Sequence, residues 1–108
     1  MKKLNRIKAN EDFAKAIKKG ESIRADSFIL HVRKNDLNYT RVGISVSKKL
    51  GDAVCRNRTK RQIRAMCDSL IDYNAKNIDL AIVVRRSYLD RTFEENSMLL
   101  KKYLSKVL

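Results

Sequence analysis

At 108 residues, of which 44% are apolar, the chain can build one hydrophobic core but not two. Its 25 Lys and Arg against 12 Asp and Glu leave a formal charge of +13 and a pI near 10.1, an excess that repels itself in a compact state unless a polyanion neutralises it. No stretch approaches the length of a membrane span, and the cations are spread through a folded pattern instead of lining one amphipathic helix, so nucleic acid ranks ahead of a lipid surface as partner.

Residues 1–9, with Lys2, Lys3, Arg6 and Lys8, read as a basic arm lying on or off a single RNA-binding domain of residues 1–108. No apolar run of signal-peptide length follows, so a cytoplasmic protein is expected. "NEDFAKAIKKG" predicts the first helix: Asn10 as N-cap, Glu11 and Asp12 in the first turn, Lys18 and Lys19 in the last, Gly20 at the stop, and Phe13, Ala16 and Ile17 as the apolar stripe. "SFILHVR" alternates, with Phe28, Leu30 and Val32 on one face and Ile29, His31 and Arg33 on the other; "RVGISVS" puts Val42, Ile44 and Val46 inward. The turn residues of "KNDLNYT" between them predict a hairpin of these two strands.

A second helix is expected between Arg56 and Tyr73, packing Thr59, Ile63, Met66, Cys67 and Leu70. "DLAIVVRR" is more continuously apolar, as a central or parallel strand requires. The last helix starts at "TFEE", a capping box of Thr92 and Glu95, and runs to the C-terminus through Met98, Leu99 and Tyr103. The order is α-β-β-(β)-α-β-α, an α+β single-sheet two-layer sandwich with two or three strands ahead of the second helix.

Charge order sets that second helix apart. The first and third carry acids early and bases late, complementing the helix dipole. The second inverts this, with Arg56, Arg58, Lys60, Arg61 and Arg64 early and Asp68 and Asp72 late, at an expected cost of about 1 to 3 kcal/mol against a total stability of roughly 5 to 15. At about 100° per residue and with Ile63 as zero, Lys60, Arg64, Asn57 and Arg61 fall between roughly 60° and 160°, and Arg58 extends the stripe to about 220°. No acid stands four residues away within Arg56–Arg64 to offset the run. Guanidinium forks in that number suit bidentate phosphate recognition, and a helix N-terminus adds free N–H groups. Lys48 and Lys49, just upstream, extend the field.

The open sheet face, with His31 and Arg33, together with Phe13 and Ile17 of the first helix, could border a trough that stacks unpaired bases, although Phe13 and Ile17 could equally be core. One histidine, no Gly-rich phosphate loop and two cysteines without C-x-x-C spacing assemble no catalytic set and no zinc site; Cys67 reads as core packing. Any chemistry must come from a partner.

"SVSKKLGDAVCRNRTKRQIR" resembles the protein subunit of bacterial ribonuclease P, whose R-N-x-x-K-R-x-x-R run is filled here by Arg56, Asn57, Lys60, Arg61 and Arg64. The likeness runs from "KKLNRIKANEDF" through the last helix. It implies a small α+β protein with a left-handed β-α-β crossover, against the usual right-handed preference. It also implies binding to a large catalytic RNA and to precursor tRNA, with no further protein partner required. The RNA subunit would hold magnesium and perform the hydrolysis that removes the 5′ leader. The motif helix would approach that RNA, and a groove between first helix and sheet would take the leader. Ile17 and His31 stand where members commonly carry aromatics, and "VRRSYLD" lacks the proline often found after the last strand. A ribosomal or other structured-RNA-binding protein is the alternative. A DNA-binding module is disfavoured because no helix pair is joined by a short turn.

Overall fold

Six apolar residues and one aspartate decide the architecture. Ile78–Val84 is buried at every position but Val83, and a strand apolar on both faces must lie inside a sheet with packing above and below it. In the computed structural model, which describes residues 1–108, the elements run α1 (Asn10–Lys19), β1 (Glu21–Arg24), β2 (Phe28–Lys34), β3 (Arg41–Ser45), α2 (Ala53–Leu70), β4 (Ile78–Val84) and α3 (Phe93–Leu104), with short 3-10 turns at Lys3–Asn5, Lys48–Leu50 and Arg86–Asp90. The strands form one sheet in the order β1-β2-β4-β3. The expected α+β class and single sheet hold, and the third strand ahead of α2 is β1; the two layers expected become three, because α1 covers the sheet face opposite α2 and α3.

The hairpin expected between "SFILHVR" and "RVGISVS" does not form. β2 pairs antiparallel with β4, and β3 pairs parallel with β4, so β4 separates them. The hairpin is β1–β2 instead, registered from Glu21 against Val32 to Arg24 against Ile29. The physical reason is burial: pairing β2 with β3 would leave the most apolar strand at an edge. The turn-like residues between β2 and β3 bond to the approach to β4, with Asn35 and Asn77 exchanging bonds of 2.9 and 3.0 Å and the Thr40 hydroxyl donating to the Lys76 carbonyl.

One sheet face carries the main core. Phe28, Leu30, Val42, Leu80, Ile82 and Val84 meet Ile63, Met66 and Cys67 of α2 and Leu100 and Leu104 of α3. Burial pushes the Cys67 thiol up to about 12, so it is an inert packing group. A buried polar chain docks α3: Ser27 donates to Asn96, and the Asn96 amide donates to the Tyr88 carbonyl. The Thr92 and Glu95 capping box is present. Met98 is 73% exposed because the inward face of α3 falls on Asn96, Leu100 and Leu104, and the helix stops at Leu104, short of the C-terminus.

α1 packs on the other face, over β2 and β4, burying Ala16. Ala9, not Asn10, occupies its N-cap, without a side-chain bond, because the extended arm leads straight into the helix. Gly20 does end α1, in extended backbone. Its missing side chain serves proximity, since a Cβ there would lie 2.5 Å from the carbonyl oxygens of Ala16 and Val32. An ion-pair chain ties α1 to the sheet. Arg41 of β3 donates to both oxygens of Asp79, at 2.9 and 2.6 Å, and reaches Asp12 of α1 at 3.3 Å. The Arg41 guanidinium is held charged by Asp79 above all.

The arm lies on the domain. Asn5 is buried and donates to the Thr40 carbonyl at 2.9 Å, Ile7 N–H donates to the Val42 carbonyl, and Arg6 bridges Val42 in parallel, covering the free edge of β3. Removing Asp79 would strand a partly buried guanidinium. Asp79→Ala should therefore cost about 2 to 3 kcal/mol, short of the 3 to 5 of a fully buried pair because Arg41 keeps some water, measured as a lowered urea midpoint at unchanged slope.

Candidate nucleic-acid interface

α2 begins three residues before the expected Arg56, because Asp52 caps it by accepting from Cys55 N–H at 2.8 Å, and it ends at Leu70, before Asp72 and Tyr73. Two consequences follow for its charges. The cations start one turn inside the helix, where the dipole effect has faded, so the inverted order costs less than its expected value. The open N–H groups are also partly served by Asp52, so anion binding rests on the side chains.

The side chains are arranged for it. Thr59, Ile63, Met66 and Cys67 are buried and Leu70 half-buried, as the periodicity predicts. Away from that face, Lys60 and Arg64 are half-buried and Asn57, Arg61 and Arg58 exposed, in the order of their angles from Ile63. None of Arg56, Arg58, Lys60, Arg61 or Arg64 takes part in an ion pair; the chain's four ion pairs lie elsewhere. Half-buried Arg56 holds a buried Nε without a hydrogen-bond partner. Asp68, the one acid on the later part of this flank, is neutralised by the Met1 ammonium at 2.6 Å and accepts from the Tyr73 hydroxyl at 2.8 Å. Burial alone would raise its pKa, but these donors and nearby positive charge hold it below the usual carboxylate range.

Lys48 and Lys49 sit exposed on the 3-10 turn ahead of α2. Buried Leu50 anchors that turn, and Gly51, at φ 139°, ψ −176°, makes the reversal that a side chain would strain. Both lysines are thus held beside the start of the stripe.

The groove expected between α1 and the sheet is only partly assembled. A cleft of about 260 Å³ opens between Phe13, the arm residues Ile7 and Lys8, Gly43 and Ser45 of β3, and Lys60 of α2. Phe13 therefore lies beside a cation of the motif helix. Ile17 is 37% exposed one turn further along α1. His31 lies on the same sheet face, paired with Ala81 on β4, and its Nδ1 is buried without a partner. Arg33 is not brought to the cleft; it lines hollows beside Lys19 and Lys34, and beside Asp12 and Lys15. Ile29, Val83 and Ser45 form the next cross-strand row beyond His31, Ala81 and Gly43, and all three keep some exposure. Sequence reasoning missed Lys8 and Gly43. A glycine in mid-strand was the available signal for a close approach. For Lys8 there was none beyond its charge.

The carboxylates do not converge: no group of three or more His, Cys, Asp or Glu side chains is placed to hold a metal ion. Asp12 and Asp79 are committed to Arg41, and Asp68 to the Met1 ammonium.

A small basic α+β protein with an unpaired cationic helix flank beside an aromatic cleft is of the RNA-binding class. The chain matches the Ribonuclease P family over residues 1–108, and it belongs to that family. It is 39% identical to the ribonuclease P protein component of Mesoplasma florum over 109 residues, covering all of this chain and 99% of that one. It is 41% identical to that of Listeria welshimeri over 96 residues, covering 88% and 81%. The Staphylococcus aureus RNase P protein, solved as a mutant with defective mRNA degradation activity, superposes with a TM-score of 0.88 at 34% identity, over 97% of this chain and 89% of that one. The Thermotoga maritima RNase P protein superposes at 0.80 with 28% identity, over 94% and 96%. The chain is accordingly a protein component of ribonuclease P, which acts in maturation of the tRNA 5′ end in association with the enzyme's RNA. A ribosomal role is not favoured.

Two measurements probe this surface. Combined Arg61→Ala and Arg64→Ala should weaken RNA binding and flatten the log–log salt dependence by up to about two units, nearly one for each phosphate left without its cation; an unchanged slope would mean the stripe faces solvent in the complex. Burial lowers the pKa of His31, so the fold favours its neutral form. Stability is then full above the ordinary histidine value of 6.5 and falls as acidification drives the proton first onto the unfolded chain. His31→Gln should remove that component from urea melts compared across the range.

Proposed function

We propose that the α2 flank of Arg56, Asn57, Arg58, Lys60, Arg61 and Arg64, with Lys48 and Lys49, seats phosphates of the ribonuclease P RNA, while the Phe13 cleft receives the single-stranded 5′ leader of precursor tRNA. The observation that carries this is the α2 flank itself: its five cations have no intramolecular carboxylate, in a chain that ion-pairs Arg41 and Arg91. Charges so placed repel one another until an external polyanion neutralises them.

In this reading the protein positions and the RNA reacts. Hydrolysis belongs to the RNA subunit, which also holds the magnesium; that division is supported by side chains here that assemble neither a catalytic set nor a metal site. Ile17 and His31 would line the leader's path beyond Phe13, offering an aliphatic and an imidazole surface in place of stacked aromatics, so base stacking is concentrated on Phe13. Arg33, outside the cleft, has no part in the leader's path in this reading. No helix is long and apolar enough to cross a membrane, and we place the complex in the cytoplasm with no further protein required.

The test mixes the purified chain with ribonuclease P RNA at physiological salt and follows cleavage of a precursor tRNA. Protein-dependent leader release is expected. Failure to promote cleavage, together with preferential binding of ribosomal RNA, would overturn the assignment. Within the same assay Phe13→Ala should reduce affinity for leader-bearing substrate by about 1 to 3 kcal/mol, the worth of one stacked base, and leave a leaderless tRNA unaffected.

A further inference from the structure

Gly43 occupies the middle of β3, where glycine weakens a strand by leaving nothing to pack. Its backbone is not in the left-handed region, so no turn geometry calls for it. What calls for it is space. A Cβ at this position would stand 2.6 Å from Cδ2 and 2.9 Å from Cε2 of Phe13, and 3.3 Å from Cβ of Ile7. The ring of α1 and the side chain of the arm thus converge on the place a side chain would fill, and both belong to the walls of the cleft that also holds Lys8 and Lys60.

We propose that Gly43 is a positioning residue for leader binding, acting through Phe13: its absent side chain lets the ring sink against the strand, which holds the cleft open and sets the ring's stacking surface. The proposal rests on the cleft's role as leader site. α1 cannot simply lift away to accommodate a methyl group, because two residues earlier on the same strand and face Arg41 grips Asp12, the neighbour of Phe13, while itself locked to Asp79. On the other side the arm is pinned by Asn5 to Thr40 and by Ile7 N–H to Val42. With both walls tied down, the ring must turn about its own side-chain bonds, and the open direction is the cleft.

The experiment is a double-mutant cycle on the holoenzyme reconstituted with ribonuclease P RNA. It reads the ratio of affinities for a precursor tRNA with a single-stranded leader and for the same tRNA with a mature 5′ end. Gly43→Ala should lower that ratio by about 5- to 150-fold, the range of one base stack removed, without changing affinity for the RNA subunit. In a Phe13→Ala background Gly43→Ala should change the ratio no further. If Phe13→Ala lowers the ratio and Gly43→Ala does not, or if their effects add in full, Gly43 does not act through the ring and the proposal falls while the leader site stands. If Phe13→Ala itself leaves the ratio unchanged, the leader site is wrong and the proposal goes with it. A measurement on the unaltered chain guards against a misfolded variant. In the NMR spectrum the Gly43 Hα resonances should be displaced from ordinary strand values by the Phe13 ring and return to them in Phe13→Leu; ordinary values in the unaltered chain would refute the ring's approach to the strand.

Discussion

The burial of β4 on both faces is the constraint on which the rest of this molecule depends. A strand that is apolar above and below needs a layer on each side and a neighbour along each edge. α2 and α3 supply one layer, α1 part of the other, and β2 and β3 the edges. Because β3 runs parallel to β4, the chain must cross over between them, and the crossover is α2. The cationic helix is therefore held by the most buried part of the fold, through Ile63, Met66 and Cys67, and its charged flank is presented on a rigid support.

That rigidity matters because the flank is electrostatically unfavourable alone. Cations on neighbouring helical turns gain nothing from one another, and the acids that do form ion pairs form them with other partners: Asp79 and Asp12 with Arg41, Asp26 with Arg91, Asp68 with the Met1 ammonium. Ion pairing thus does structural duty in the arm, in α1 and at the β1–β2 turn and is withheld from the cations of α2. In the proposed complex neutralisation is left to the RNA, which would make binding salt-dependent.

The second constellation is built by convergence. α1, the arm, β3 and α2 each contribute one wall of the cleft around Phe13, and no two of these segments but the arm and α1 adjoin in sequence. Lys60 belongs both to the stripe and to the cleft, so in the proposed complex the RNA on α2 and the strand in the cleft would share one cation. In the proposed complex the Phe13 ring and the flanking lysines would suit a single strand, with a base stacked on the ring and phosphates facing Lys8 and Lys60.

Local rules were legible in the chain. The Thr92 and Glu95 capping box, the buried face of α2 and the alternation of β2 follow from short-range spacing, and the run Arg56–Arg64 stood out because no acid interrupts it. What the chain alone left open was every pairing of distant segments. The hairpin expected between β2 and β3 gave way to insertion of β4, the starts of α1 and α2 moved with the arm and with Asp52, and Arg33 came to line hollows other than the Phe13 cleft. The sequence by itself determined which residues are apolar, charged or turn-prone, because those are properties of side chains and their near neighbours. Only the tertiary structure decided which of them meet, because strand order and the approach of Phe13 to Gly43 are settled by the competition to bury β4, which no local window contains.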